Sequence, residues 1–213
     1  MNKLFLAIGT SAALMLLTGC AATTTIHDPD NTNTNVRQEG HVSAEEMIQA
    51  AKAATHDAMK NAKFVAFLKK YKREMNDPDA IPVLKLDKAL NETDDPNLNT
   101  DLITDIINEE LLNAGKVDVT MAEGSGRTQA IANSRKLEDD ENFDQKTVAK
   151  RGTLQAARLV LRPKVISNLT NDGSRKVNVT SFTMDMADIN TSLVMWKYTK
   201  RLGYQKERGM TGW

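Results

Sequence analysis

The chain has 213 residues, with 28 Lys and Arg against 28 Asp and Glu, 40% hydrophobic residues and one cysteine. That is enough for one ordinary domain with appendages, and too apolar for wholesale disorder. A lone cysteine excludes an intramolecular disulfide and a Cys-rich zinc site, and a net charge of zero argues against a general nucleic-acid binder, which carries a basic excess.

Residues 1–19 read as an export signal. Lys3 supplies a positive start, and Leu4 to Leu17 is an apolar run of 14 residues, short of the roughly 20 that a membrane-spanning helix needs. It ends in Leu17-Thr18-Gly19-Cys20, which resembles the bacterial lipoprotein signal. The Cys20 thiol is the nucleophile that takes a diacylglycerol, and cleavage before it frees an amine for another acyl chain; several chains anchor stably where one does so marginally. Ala21, being non-acidic, resembles an outer-membrane address, so the expectation is a lipid-anchored protein on the periplasmic face of the outer membrane.

Residues 20–42 form a polar tether, with Thr23-Thr24-Thr25 and Asn31-Thr32-Asn33-Thr34-Asn35 and no periodicity. Beyond Cys20 its 22 residues reach at most ~75 Å fully extended, and a relaxed coil averages ~25 Å.

Residues 43–213 read as the globular domain. Ser43-Ala44-Glu45-Glu46 matches a capping box, in which the Ser side chain and the Glu three residues on satisfy each other's backbone donors. Behind it Met47, Ala50, Ala51, Ala54, Ala58, Ala62, Val65 and Leu68 recur at three- and four-residue spacing, which predicts one amphipathic helix. Lys60, Lys63, Lys69, Lys70, Lys72 and Arg73 crowd its C-terminal part, where cations complement the helix dipole. That side is either the solvated face of a docked helix or a membrane-surface helix. Asn76-Asp77-Pro78-Asp79 ends it.

Next come a short strand, Ile81 to Leu86, an acidic loop, Asn91 to Thr100, and a helix, Asp101 to Asn113, with Leu102, Ile103, Ile106, Ile107, Leu111 and Leu112 apolar and Gly115 as its C-terminal cap. Val117 to Met121 alternates like a half-buried strand. Helices are predicted over Arg127 to Leu137 and Lys146 to Ala157. Three strands finish the chain, Leu159 to Ser167, Lys176 to Ile189 and Leu193 to Leu202, joined at Asn171-Asp172-Gly173 and Asn190-Thr191-Ser192 into an antiparallel meander. Pro163 demotes the first of them towards an edge. In the second, the apolar phase changes between Val179 and Phe182, which predicts a bulge near Thr180 or Ser181. The fold class is α/β, an α+β sandwich of mixed sheet flanked by helices.

Charge is divided along the chain: residues 1–144 hold 15 basic and 24 acidic side chains, and residues 145–213 hold 13 and 4, giving −9 and +9. The basic meander either meets an acidic or anionic partner or is compensated by the acidic loops. Catalytic constellations are missing. His27, His41 and His56 share no ligand spacing, so neither a metal site nor a His-dependent triad is expected, and no cofactor. Gly124-Ser125-Gly126-Arg127 lacks the phosphate-loop and nucleophile-elbow patterns. Asp185 and Asp188 are three apart on a strand, which puts them on opposite faces.

Several pieces together resemble the LpoB family of penicillin-binding-protein activators. They are Pro82-Val83-Leu84-Lys85-Leu86, Asn91-Glu92-Thr93, the helix Leu102 to Leu112 ending in Asn113-Ala114-Gly115-Lys116 before Val117 and Val119, then Ala156-Ala157-Arg158-Leu159-Val160-Leu161 and Leu193-Val194-Met195-Trp196. Asn190-Thr191-Ser192 departs from the turn glycine usual in that family. The resemblance implies a fold similar to the TolB N-terminal domain and a non-enzymatic regulator that contacts a class A penicillin-binding protein, the bifunctional peptidoglycan synthase. Arg158, Arg162, Lys164, Trp196 and Lys197 are the expected contact residues, with Trp196 equally readable as core. The alternative reading is a structural lipoprotein of an outer-membrane assembly, such as a flagellar or secretion-associated ring.

Overall fold

A computed structural model describes residues 42–124, 129–171 and 175–207. The signal segment, Cys20 and the tether lie outside these, as does the centre of the Asn171-Asp172-Gly173 turn. The elements in chain order are α1 (Ala44–Lys60), α2 (Ala62–Met75), β1 (Val83–Leu86), β2 (Leu90–Glu92), α3 (Thr100–Ala114), β3 (Asp118–Val119), α4 (Gln129–Lys136) running into a 3-10 turn at Leu137–Asp139, then β4 (Leu159–Asn171), β5 (Arg175–Asp188) and β6 (Leu193–Glu207).

The predicted first helix is two helices. The capping box forms, Glu46 N donating to Ser43 Oγ at 3.2 Å and Ser43 N to Glu46 Oε2 at 3.1 Å. The break falls at Asn61, whose extended backbone ends α1 while its Oδ1 accepts from Lys63 N at 2.9 Å and so caps α2. The buried stripe therefore passes from Ala54, Ala58 and Met59 to Phe64 and Phe67, and Ala62, expected on the stripe, is exposed. Lys116 Nζ donates to Met59 O at 2.7 Å, serving a carbonyl that the break orphans. Asn76, left-handed at φ 50°, stops α2.

The sheet has six strands in the order β3-β1-β4-β5-β6, with β2 also on β4. β1 pairs with β3 and β4 in parallel, β2 with β4 in parallel, and β4-β5-β6 is the antiparallel meander. β4 is consequently central, against the edge position that Pro163 suggested. β1 ends its register at Leu161 and β2 begins at Lys164, so Pro163 occupies the interval between two partners, where the missing N–H is not needed.

Three further expectations change. The bulge lies not at Thr180 or Ser181 but between Met186 and Ala187 against β6, where Met195 is the extra residue. Thr180 simply takes the inward position in line with Phe182, Met184 and Met186. Asn91 opens not a plain loop but follows a strand start at Leu90. No helix forms over 146–157: Asp144 turns the chain, accepting from Lys146 N at 3.0 Å and Thr147 N at 2.9 Å, and Gly152 sits at φ 77°. That stretch buries nothing before Ala157, so a helix there has no face to dock.

The core lies between the inner sheet face and α1, α2 and α3. Leu84, Leu86, Leu159, Leu161, Val165, Phe182, Met184 and Met186 meet Met47, Ala51, Ala54, Phe64, Ile107 and Leu111. The small residues of α1 let that helix approach the sheet closely. α3 is capped at Asn99 and at Gly115, which is left-handed at φ 61°; its buried side is Ile103, Thr104, Ile107 and Leu111, while Leu112 points out. Among the described residues no helix is long and apolar enough to cross a membrane.

Candidate functional site

Because strands alternate, β4 sends Leu159, Leu161 and Val165 inward and Arg162 and Lys164 outward. The register then builds rows across the outer face. Arg162 stands opposite Asp185, which stands opposite Lys197; Lys164 stands opposite Thr183 and Thr199; Ile166 stands opposite Ser181 and Arg201. Arg162 Nε donates to Asp185 Oδ1 at 2.8 Å, and Lys164 pairs with Glu92 Oε1 of β2 at 3.0 Å. Lys197 and Arg201 are exposed and have no ion pair among the described residues. Compensation between acidic loops and basic meander is thus real but partial, and a surplus of cations is left on this face.

The other two expected contact residues sit elsewhere. Trp196 is 5% exposed, stacked on Tyr198 with ring centres 6.1 Å apart, and its Nε1 donates to Asp57 Oδ2 of α1 at 2.7 Å. It is a core residue that fastens β6 to α1. Arg158 lies at the end of the sheet under α2. Its Nε and Nη2 donate to the two oxygens of Asp188 at 2.9 and 3.2 Å, its Nη1 donates to Glu74 Oε2 at 3.2 Å, and its guanidinium carbon is 5.6 Å from the Phe67 ring centre. Hydrogen bonding to Asp188 raises the Arg158 pKa further. Burial pushes the Asp188 carboxyl up, but the Arg158 hydrogen bonds and the Asn190 N–H outweigh it and hold the group below its ordinary range.

Asp185 and Asp188 do lie on opposite faces, each engaged by its own arginine, which leaves no paired-carboxylate site. Among the described residues no group of three or more His, Cys, Asp and Glu side chains is gathered to hold a metal ion. The Asn91-Glu92-Thr93 motif is a self-braced turn: Asn91 Oδ1 accepts from Thr93 N at 2.9 Å and from Thr93 Oγ1 at 2.7 Å, and Asn91 Nδ2 donates to Asp95 O at 2.8 Å. It holds β2, and with it Glu92, beside Lys164. Sequence reasoning missed Asp57 and Glu74, the partners that fix Trp196 and Arg158; no local signal marks them, since they lie 139 and 84 residues away along the chain.

A mixed sheet packed by helices on one face and carrying charged rows on the other is an α+β sandwich with one open, charged face. The chain belongs to the LpoB family: the family model described as peptidoglycan-synthase activator LpoB matches residues 46–202. It is a non-enzymatic activator of peptidoglycan synthase. Among solved structures it is similar to the LpoB C-terminal domain from Escherichia coli, at 15% identity and TM-score 0.41, covering 74% of this chain and 98% of that one. The LpoB C-terminal domain from Salmonella enterica gives 12% and 0.37 with the same coverage. Lipoprotein GNA1162 from Neisseria meningitidis gives 14% and 0.31, covering 61% of this chain and 88% of that one. No curated protein sequence matches the chain.

Proposed function

We propose that the mature protein is an outer-membrane lipoprotein, acylated at Cys20, whose meander face binds a class A penicillin-binding protein and raises its activity. The observation that carries the contact surface is the row Arg162–Asp185–Lys197, continued by Lys164 and Arg201 on the same open face. Arg158 and Trp196 support this face from beneath and do not touch the partner. An acidic patch on a non-catalytic part of the synthase fits the surplus positive charge.

Activation by contact requires tighter binding to the active conformation than to the inactive one; a tenfold gain corresponds to about 1.4 kcal/mol of differential affinity. The ring-assembly alternative is disfavoured by the β6 edge, which carries Lys197, Lys200 and Arg201, cations of one sign that oppose pairing with a second copy of the same edge. The test is direct binding of residues 43–213 to the synthase. Arg162→Glu with Lys197→Glu is expected to weaken it at least tenfold while the fold persists; unchanged binding contradicts this surface.

A further inference from the structure

We propose that the corner formed by α2 and the start of β6 is a docking surface for an anionic phospholipid bilayer. α2 carries Lys63, Lys69, Lys70, Lys72 and Arg73 against one acid, Glu74, which is already engaged by Lys70 at 3.4 Å and by Arg158 at 3.2 Å. Lys63, Lys69, Lys70 and Arg73 are exposed. Beside them opens a groove of about 390 Å³ whose lining includes Lys63, Lys70, Leu193, Val194 and Met195, together with the little-exposed Phe67 ring and Asp188, whose charge is already paired to Arg158. Leu193 is 68% exposed and Val194 52%, the former the most exposed large apolar side chain among the described residues. Ser192, left-handed at φ 58°, and the bulge at Met195 present this dipeptide at the corner of the sheet.

Aliphatic tips ringed by lysines are what a headgroup boundary accepts, acyl chains taking Leu193 and Val194 while phosphates neutralise the cations. A protein partner fits less well. Its usual anchors are aromatic, and here Phe67 and Trp196 are buried; four of the five cations are lysines, flexible point charges without the fixed fork of arginine. The reading of Cys20 as a lipid anchor adds proximity, since a tether with a relaxed span of ~25 Å keeps the domain beside its own membrane.

The test is co-sedimentation of residues 43–213, which hold every buried core residue and lack Cys20, with vesicles of phosphatidylethanolamine and phosphatidylglycerol. Binding is expected there, and not to phosphatidylcholine vesicles or in high salt. Lys63→Gln with Lys70→Gln is expected to lower partition about 25-fold, about fivefold per cation, and Leu193→Ser with Val194→Ser about tenfold, with unchanged circular dichroism. As a second readout, the emission added by Leu193→Trp shifts to the blue on vesicles. No sedimentation, sedimentation indifferent to both pairs of substitutions, or an unshifted emission overturns the proposal. So does loss of synthase stimulation by these variants without any vesicle binding, which makes the corner a protein contact. Failure of the Cys20 anchor does not enter, because this segment carries no lipid.

Discussion

Arg158→Met separates a structural arginine from a contact arginine. Asp188 is 6% exposed, and Arg158 supplies two of its hydrogen bonds. Removing one partner of a buried ion pair costs about 3 to 5 kcal/mol. The Asn190 N–H still donates to Asp188 at 2.9 Å, so the low end applies, about 3 kcal/mol, with up to about 1 kcal/mol more from the lost stacking on Phe67. For a domain of this size that lowers Tm by roughly 10 °C. The loss also depends on pH. In the native protein Asp188 titrates below its ordinary range, so its contribution is full above the unfolded carboxylate pKa and fades only as pH falls through the depressed folded value. Without Arg158 its hydrogen bonds and charge no longer hold the carboxyl down, so the depression of the Asp188 pKa shrinks and the variant loses that pH-dependent part of the stability. The difference between the two proteins is therefore full near neutral pH and shrinks as pH falls below about 4, through the depressed folded value. Urea denaturation across this range checks it, and adding Asp188→Asn to the variant restores part of the loss. A loss below about 1 kcal/mol that does not change with pH would mean a solvated pair and refute the buried-cluster reasoning.

Trp196→Phe removes the donor to Asp57 and part of a buried ring, and costs about 2 kcal/mol in urea denaturation; no loss means the indole is not an anchor between β6 and α1. Gly124→Ala places a Cβ 2.5 Å from Leu86 O at φ 73°, whereas Gly152→Ala at φ 77° meets nothing within 4 Å. The first is expected to destabilise by more than about 2 kcal/mol and the second by about 1 kcal/mol, the conformational term alone; equal losses contradict the close approach of residue 124 to β1. Cys20→Ala releases the protein from membranes washed in high salt, where the α2 cations no longer hold the domain on anionic lipid, and attachment that persists in that wash counts against lipidation as the anchor.

The antiparallel meander, the capping box at Ser43, the Asn76 stop and the Gly115 cap were legible because each depends on neighbours in sequence. What escaped depends on tertiary partners. Asn61 splits the first helix because its side chain caps forward, and periodicity alone reads through it. Pro163 looks like an edge residue until β1 and β2 are seen to share β4 and leave an interval for it. Thr180 reads as a phase error until it takes an inward place beside Phe182. The 146–157 segment has a plausible helical composition and no surface to bury it. Of the five residues proposed to touch the partner, Arg162, Lys164 and Lys197 fall on the open face of the basic meander that the charge division marked out. Arg158 and Trp196 were drawn into the same set by residue type, and only their long-range partners Asp188, Glu74 and Asp57 show that they hold the fold.

The activity claim is tested most directly by glycan polymerisation by the organism's own class A synthase, with and without residues 43–213 at micromolar concentration. Stimulation that saturates, and that Arg162→Glu with Lys197→Glu abolishes while Trp196→Phe leaves it intact, is the predicted result. Absence of both binding and stimulation at high micromolar domain contradicts activation through this surface.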